Sequence, residues 1–431
     1  KIPVSASLGI WTTLIMYLVA IPLGININQK IGAALLLAGT AIGAGMLGMP
    51  FVSGVCGYFP TIIVMFMCFG VMLANLFLLL EATLYCKNEN VNIIGMSREH
   101  LSSQWSVTCW ISFMLLLYSI IASYMNAGGD LVSFLINQNE YFNISKLTGI
   151  LIFSGIFGFV VLMGTAFIDH VNRIFMVGLL VTFCFVSWSL SSFVNLKSLS
   201  VPSKLIYIPH SIPIITAAFT SHLILPSLKS YIKDISALRV VLFYGSLLPL
   251  TLYLIWQTIV LGIVEPEGPL SITTIAQSKE PISYFFHIIE SKKTFPIIEI
   301  ITQLFFFSAI TTSFLGVLLS LSDFLSDGLN MKSQNFQDRV KLILLSGIPP
   351  LFFTVLFKSA FTYAINFAAL FIAILYAIIP SLVVLKCRKN SQMTEYKLPG
   401  GAISVYIIFA FGCLFAILSI MNVYHMLPDV I

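Results

Sequence analysis

The sequence predicts an all-α integral membrane protein built on eleven core transmembrane helices. Three observations predict it. Only 9% of the residues are charged, where a soluble domain carries about 25%. The mean hydropathy is +0.99. Apolar runs of roughly 20 residues or more recur along the chain, which is the length a helix needs to cross a bilayer. They are too long and too continuous for the alternating strands of a barrel.

The eleven runs lie near 31–54, 58–85, 107–137, 146–168, 173–194, 205–228, 240–263, 295–324, 339–357, 360–386 and 401–426. Residues 30–431 are read as one transmembrane domain. Residues 1–29 form an apolar extension. Its stretch from Leu8 to Ile25 reads as a twelfth span, an interfacial helix or a signal-like segment, and Pro22 and Gly24 mark its end.

Charge placement sets the orientation. With the run at Ile31 starting in the cytoplasm, the cytoplasmic segments hold Lys30, Lys87, Arg98, Arg173, Lys229, Lys233, Arg239, Lys332, Arg339, Lys341, Lys386, Arg388, Lys389 and Lys397. The other face holds Lys146, Lys197, Lys204, Lys279, Lys292, Lys293 and Lys358. This two-to-one bias follows the positive-inside rule. The longest loop, about 264–293, falls outside and carries Glu265, Glu267, Glu280 and Glu290.

Several function classes are excluded. Basic tracts interleaved with aromatics are absent, so nucleic acid is no partner. The seven cysteines are scattered without a CxxC pair and read as small hydrophobes, with no metal or disulfide framework. No HExxH, Walker or GxSxG pattern occurs, so the chain is no enzyme of those classes, and no cofactor is expected. No carbonyl-rich filter sequence suggests a channel.

The first run starts inside and the sixth starts outside. Five helices per half is an odd number, so two related halves must have opposite orientation, the arithmetic of an inverted repeat. The first run contains Gly39-Thr40-Ala41-Ile42-Gly43-Ala44-Gly45-Met46-Leu47-Gly48, followed by Pro50. Each helix-interior glycine costs about 1 kcal/mol relative to alanine, and freed backbone groups in lipid need a partner. A half-helix N-terminus suits a carboxylate, and the carbonyls before it suit an ammonium group. Close packing through small residues fits Gly39-x-x-x-Gly43 equally.

The corresponding break is expected in the sixth run. Pro213 and Pro226 bracket a small, polar patch containing Phe219, Thr220, Ser221 and His222. The eighth run brings Thr311, Thr312 and Ser313, whose hydroxyls either meet a polar ligand or bond back to carbonyls one turn earlier. Ionisable residues at depth are His222, Asp130 and Glu81, the candidates for proton coupling. A neutral imidazole held by structure is the other reading of His222. Glu81, near the cytoplasmic interface, reads first as a structural pairing.

From Lys30 to Pro60, with Ala38 to Pro50 at its heart, the chain resembles the bacterial aromatic amino acid permeases, the tyrosine- and tryptophan-specific group of the amino acid–polyamine–organocation superfamily. Further matches follow in order. They include Leu78 to Glu81, Gly164 to Asp169 with Asn172-Arg173, the bracketed sixth run with His222 and Pro226, Gly245-Ser246 with Pro249, Trp256-Gln257, and Thr312 to Val317 with Asp323. The likeness covers about residues 30–426 and leans toward tyrosine permeases of chlamydia-like bacteria.

The resemblance implies a leucine-transporter-like architecture in the bacterial inner membrane, with a five-plus-five inverted repeat and breaks in helices one and six. It implies proton symport of tyrosine or tryptophan, tyrosine favoured. Carried over by position, Gly39, Thr40, Ala41, Gly43, Ala44 and Gly45 would cradle the amino acid's main-chain groups. Phe219, Thr220, Ser221 and His222 would face it, and Tyr118, Tyr124, Thr312 and Ser313 would close the pocket. Relatives often carry glycines where Thr220 and Leu223 stand here, which implies a tighter break. Two rivals are a sodium-coupled carrier of another neutral amino acid and a non-transporting amino acid sensor.

Overall fold

The computed structural model describes residues 29–431 apart from 88–91, 139–140, 142, 201–203, 266–267, 279, 293–294, 330, 332–335, 357–359, 391–392 and 429–431. The extension expected over 1–29 therefore lies, but for Gln29, outside the described residues. The chain is helical almost throughout, and among the described residues the only β-pairing is an isolated bridge between Glu265 and Ser271.

The principal helices are α1 (Gln29–Ala41), α2 (Ala44–Ser53), α3 (Tyr58–Leu84), α4 (Ile93–His100), α5 (Ser103–Asn137), α6 (Lys146–Leu162), α7 (Thr165–Ser191), α8 (Ile208–Ala218), α9 (Leu225–Tyr231), α10 (Ile235–Ile263), α11 (Pro281–Ser291), α12 (Pro296–Leu329), α13 (Phe336–Leu356), α14 (Ala360–Ile372), α15 (Ile379–Lys389) and α16 (Gly401–Val423). Nine spans among the described residues are long and apolar enough to cross a membrane, and α1 with the following segment makes a tenth as a pair bent by 51°. The run expected at 146–168 is shorter than predicted, because α6 has only 17 residues.

The reason is Gly164. It stands at φ +97, which a side chain rarely adopts, and α7 starts directly after it. The Arg339 guanidinium donates to the Leu162 carbonyl at 3.1 Å and so satisfies the end of α6. The predicted start of the next helix, near 173, is thus eight residues late. The expected outer loop 264–293 also contains helix, at Ile272–Gln277 and in α11.

The chain divides into two compact units. One comprises residues 29–35, 121–199 and 255–361. Its main packing is between α7 and α12. Trp256 is fully buried there, with the rings of Phe285, Phe305 and Phe306 edge-on at 5.9, 5.3 and 5.9 Å. The α5–α6 crossing is close because both helices place glycine at it. A Cβ on Gly129 would stand 2.7 Å from the Ile150 nitrogen, and one on Gly149 would stand 2.3 Å from the Gly129 oxygen.

The other unit comprises residues 36–120, 200–254 and 362–431. Here α8 packs on α2 and α3. In α3, Val64, Met65, Cys68, Met72 and Leu76 are buried, while Phe59, Ile63, Phe66 and Met67 are exposed. Both faces are apolar, which suits a helix with protein on one side and lipid on the other. Between α14 and α15 the backbone forms a π-helical segment, Ala373–Ile378.

Candidate substrate site

Both predicted breaks are present, and they meet within the second unit. Helix α1 ends at Ala41, Ile42 and Gly43 are not helical, and α2 resumes at Ala44. Gly39, Thr40 and Ala41 thus form the last turn of one half-helix, and Ala44 and Gly45 start the next. Gly43 is extended (φ −159, ψ −160), a shape open to any residue, and caps α2 without a side-chain hydrogen bond. The first-turn N–H groups of α2 therefore have no side-chain acceptor at the cap. Pro50 lies inside α2 rather than at the break.

In the sixth span α8 ends at Ala218. Phe219 to Ser221 leave the helix, His222–Ile224 make one 3₁₀ turn, and α9 follows with Pro226 in its first turn. Pro213 sits inside α8. Gly45 faces Ala218, where an added Cβ would be 3.6 Å from the Ala218 Cα. That is ordinary van der Waals contact, so close packing does not by itself demand glycine there.

The Tyr253 hydroxyl joins the two breaks. It lies 2.6 Å from the Ala41 carbonyl oxygen and 2.8 Å from that of Ala218. These carbonyls end the first half-helix of each broken span, where intrahelical donors run out. One phenol proton serves both in turn or as a three-centre bond. Tyr253 is fully buried, and its ring lies 5.1 Å from that of Phe219.

A narrow cleft opens beside this junction, with a free volume of about 10 Å³, room for about one water molecule. Ala41, Met72, Phe219, Ser221 and His222 line it. His222 is 1% exposed; its ring faces the Met72 backbone carbonyl, and neither nitrogen makes a hydrogen bond of ordinary geometry. Its ring stacks on Tyr376 at 5.0 Å, and the Tyr376 hydroxyl is also buried without a partner. A buried polar group left unpaired costs about 1–3 kcal/mol. Two such groups beside a cleft are features that a polar ligand group would relieve. Thr220 instead bonds back to the Thr216 carbonyl at 3.3 Å.

The first unit holds Tyr124, Asp130, Thr312 and Ser313, while Tyr118 and Glu81 belong to the second. The Thr312 hydroxyl donates to the Ser308 carbonyl at 2.9 Å, the backbone-bonded alternative. Its neighbour Thr311 is buried with an unpaired hydroxyl. The Tyr124 hydroxyl faces that of Ser313. Tyr118 lies six residues before Tyr124 on α5, about 120° away around the helix, so the two do not share a face.

Asp130 has a clear structural engagement. One carboxylate oxygen accepts from the Ile282 N–H at 3.1 Å and the other from the Ser283 hydroxyl. Both donors belong to the first turn of α11, so Asp130 caps that helix and meets its positive end. Phe134, one turn on, stacks on Phe286 at 5.0 Å. Glu81 is fully buried and paired. The Arg388 guanidinium donates to its two oxygens at 2.8 and 2.6 Å, the Leu398 N–H at 2.7 Å and the Tyr85 hydroxyl at 3.1 Å. The Arg239 guanidinium covers the nearby Tyr396 ring at 4.6 Å, and burial raises that loop phenol above its ordinary range. The structure does not bring Glu81 to the cleft.

Sequence reasoning missed Tyr253, Tyr376, Ser283 and Arg388. A buried tyrosine among apolar neighbours was the available signal for the first two.

The chain is 29% identical over 393 residues to "Tyrosine-specific transport system 1" of Haemophilus influenzae, covering 90% of this chain and 95% of that one. It is 27% identical over 406 residues to a "Tryptophan-specific transport protein" of Pseudomonas aeruginosa, covering 93% and 96%. A solved nucleobase-cation-symport-1 family transporter, closed with bromovinylhydantoin bound, superposes with a TM-score of 0.59 at 14% identity, covering 92% of this chain and 91% of that one. That likeness concerns the fold alone. The profile of the tryptophan/tyrosine permease family matches residues 26–419, and the chain belongs to that family of multi-pass bacterial inner-membrane transporters.

Proposed function

We propose that this chain imports an aromatic amino acid, tyrosine before tryptophan, by proton symport with alternating access, and that residues 30–431 form a permease transmembrane domain behind an apolar extension at 1–29. The observation that carries the reading is the meeting of two helix breaks under the Tyr253 hydroxyl beside the buried His222. The uncapped start of α2 supports a site for the substrate carboxylate at Gly43, Ala44 and Gly45. The last turn of α1, Gly39 to Ala41, is assigned to the ammonium group.

Tyrosine is favoured by the pair His222 and Tyr376. A phenol hydroxyl both donates and accepts, so it can satisfy an imidazole nitrogen and a tyrosine hydroxyl together. An indole N–H only donates. A site that supplies partners to a substrate hydroxyl discriminates strongly against analogues lacking it. His222 is the coupling residue in this reading, because an imidazole changes charge near working pH. Glu81 is committed to Arg388 and Asp130 to α11. Phe219, Thr220, Ser221, Tyr118, Tyr124, Thr312 and Ser313 are assigned to the walls that close on the substrate.

The test is uptake of labelled tyrosine and tryptophan into proteoliposomes under an inward proton gradient, with and without sodium, alongside His222→Gln. Expected is sodium-independent accumulation that an uncoupler abolishes, with tyrosine the better competitor. His222→Gln should keep counterflow exchange and lose gradient-driven accumulation. Accumulation that requires sodium and ignores the uncoupler would overturn proton symport. Accumulation of another neutral amino acid in place of both aromatics would overturn the substrate.

A further inference from the structure

At the end of α3 that the charge count assigns to the cytoplasm, four side chains from three segments converge within the second unit. Cys86 follows α3 by two residues, Glu99 and His100 end α4, and Cys387 lies near the end of α15. One potential ligand atom from each of Cys86, Glu99 and His100 lies within 4.8 Å of the others. His100 Nε2 is 4.0 Å from Glu99 Oε1, too far for a hydrogen bond.

The state of His100 is the second, independent observation. Its side chain is only 9% exposed, and Nε2 is buried with no hydrogen-bond partner. Its other nitrogen, Nδ1, stands 3.4 Å from the Cys387 sulfur. Metal-ligating histidines donate one ring N–H to an outer partner and present the other nitrogen's lone pair; His100 has this arrangement when Nδ1–H donates to the Cys387 sulfur. Glu99 is oriented likewise, because its Oε1 accepts from the Lys87 amide at 3.1 Å.

We propose that Cys86 Sγ, His100 Nε2 and the Glu99 carboxylate form a site for a divalent first-row metal ion of borderline softness, zinc being the type, with Cys387 as the outer partner of His100. A sulfur, an imidazole and a carboxylate together match zinc-type chemistry better than magnesium or calcium, which take oxygen. A thiolate and a carboxylate also neutralise a 2+ charge. Ligand atoms about 2.0–2.3 Å from a tetrahedral metal stand about 3.3–3.8 Å apart, so closure from 4.8 Å needs about 1 Å of side-chain rotation. Glu99 is 26% exposed and leaves an entry path and a fourth position for water. Cys86 follows α3 while Glu99 and His100 end α4, so the ion would pin α4 to the end of α3. The plain alternative is a loose Glu99–His100 ion pair that binds nothing.

The test is titration of the full-length protein in detergent with Co²⁺ under a phosphine reductant, followed by competition with Zn²⁺. Expected is one Co²⁺ per chain with a thiolate-to-cobalt charge-transfer band, displaced by Zn²⁺. Cys86→Ser should abolish the band. His100→Gln should weaken binding at least 100-fold. Cys387→Ser should keep the band and weaken binding by about 10- to 100-fold, the usual effect of losing an outer partner. Each variant is checked for an unchanged elution profile and thermal midpoint without metal. Absence of the band in the wild type, or its persistence at unchanged affinity in Cys86→Ser, overturns the site. Loss of the band in Cys387→Ser with retention in Cys86→Ser also overturns the assignment.

Discussion

The Tyr253 hydroxyl lies 2.8 Å from the Ala218 carbonyl oxygen, which ends the first half of the sixth span. The same hydroxyl reaches Ala41, the equivalent residue of the first broken span, at 2.6 Å. One side chain thus serves the freed carbonyls of both breaks. In an apolar surround each unpaired carbonyl costs about 1–3 kcal/mol.

Tyr253→Phe keeps the ring contact with Phe219 and removes only the proton that joins the breaks. The expected result is a folded protein with a lower thermal midpoint and an uptake rate reduced at least tenfold. Size-exclusion profile, midpoint and proteoliposome uptake check it. Unchanged uptake would mean that water or another donor already serves these carbonyls.

Tyr376→Phe removes the hydroxyl beside His222 without changing the stack, whose rings are 5.0 Å apart. With a tyrosine hydroxyl as its partner, the change should raise KM for tyrosine by roughly 5- to 30-fold, equivalent to about 1–2 kcal/mol. KM for tryptophan should move less than threefold. Equal shifts for both substrates would place Tyr376 away from the substrate's ring substituent.

The two breaks were legible in the sequence because their signals are local. Four glycines between Gly39 and Gly48, and a small polar patch between Pro213 and Pro226, each bias the backbone within a few residues. The apolar runs were legible because lipid imposes a length. Gly164 was visible as a residue, but not its positive φ, so the α6–α7 boundary was misplaced. Long-range pairings were not legible. Asp130 finds Ser283 across 153 residues and Arg388 finds Glu81 across 307, and no local pattern encodes either. The same holds for Cys86 and Cys387, which looked like scattered hydrophobes.

Glycines that look alike in sequence should behave differently. At Gly45 an added Cβ meets Ala218 at ordinary distance, whereas at Gly129 it would stand 2.2 Å from Ile150 Cγ1 and 2.7 Å from its backbone nitrogen. Gly129→Ala should therefore destabilise the protein by about 1–3 kcal/mol or more through overpacking. Gly45→Ala should leave the thermal midpoint almost unchanged and show its effect in uptake instead. A large loss of midpoint in Gly45→Ala would restore the packing explanation for that glycine.

Glu81→Gln leaves the Arg388 guanidinium, 14% exposed, without its anion and loses part of a four-donor site. Breaking a buried pair by removing one partner costs about 3–5 kcal/mol. The expected readout is a clear fall in thermal midpoint, with residual uptake still driven by the proton gradient. Retained stability with lost coupling would instead give Glu81 the proton.

Asp130→Asn tests whether the carboxylate caps a helix or moves a proton. Asparagine keeps one acceptor oxygen for the first turn of α11, so the Ile282 N–H or the Ser283 hydroxyl retains a partner while the other loses it. Loss of the charge also weakens the interaction with the α11 dipole, by about 0.3–1 kcal/mol or somewhat more where buried. A capping role therefore predicts a modest fall in stability, with gradient-driven tyrosine accumulation retained at reduced rate. A proton-carrying role predicts the reverse pattern, normal stability with exchange intact and accumulation lost. Because both oxygens already accept from α11, protonating Asp130 would require the Ser283 hydroxyl to turn from donor to acceptor and would give up the charge's interaction with the α11 dipole. The first pattern is accordingly the expected one, and measuring exchange and net accumulation on one preparation separates the two.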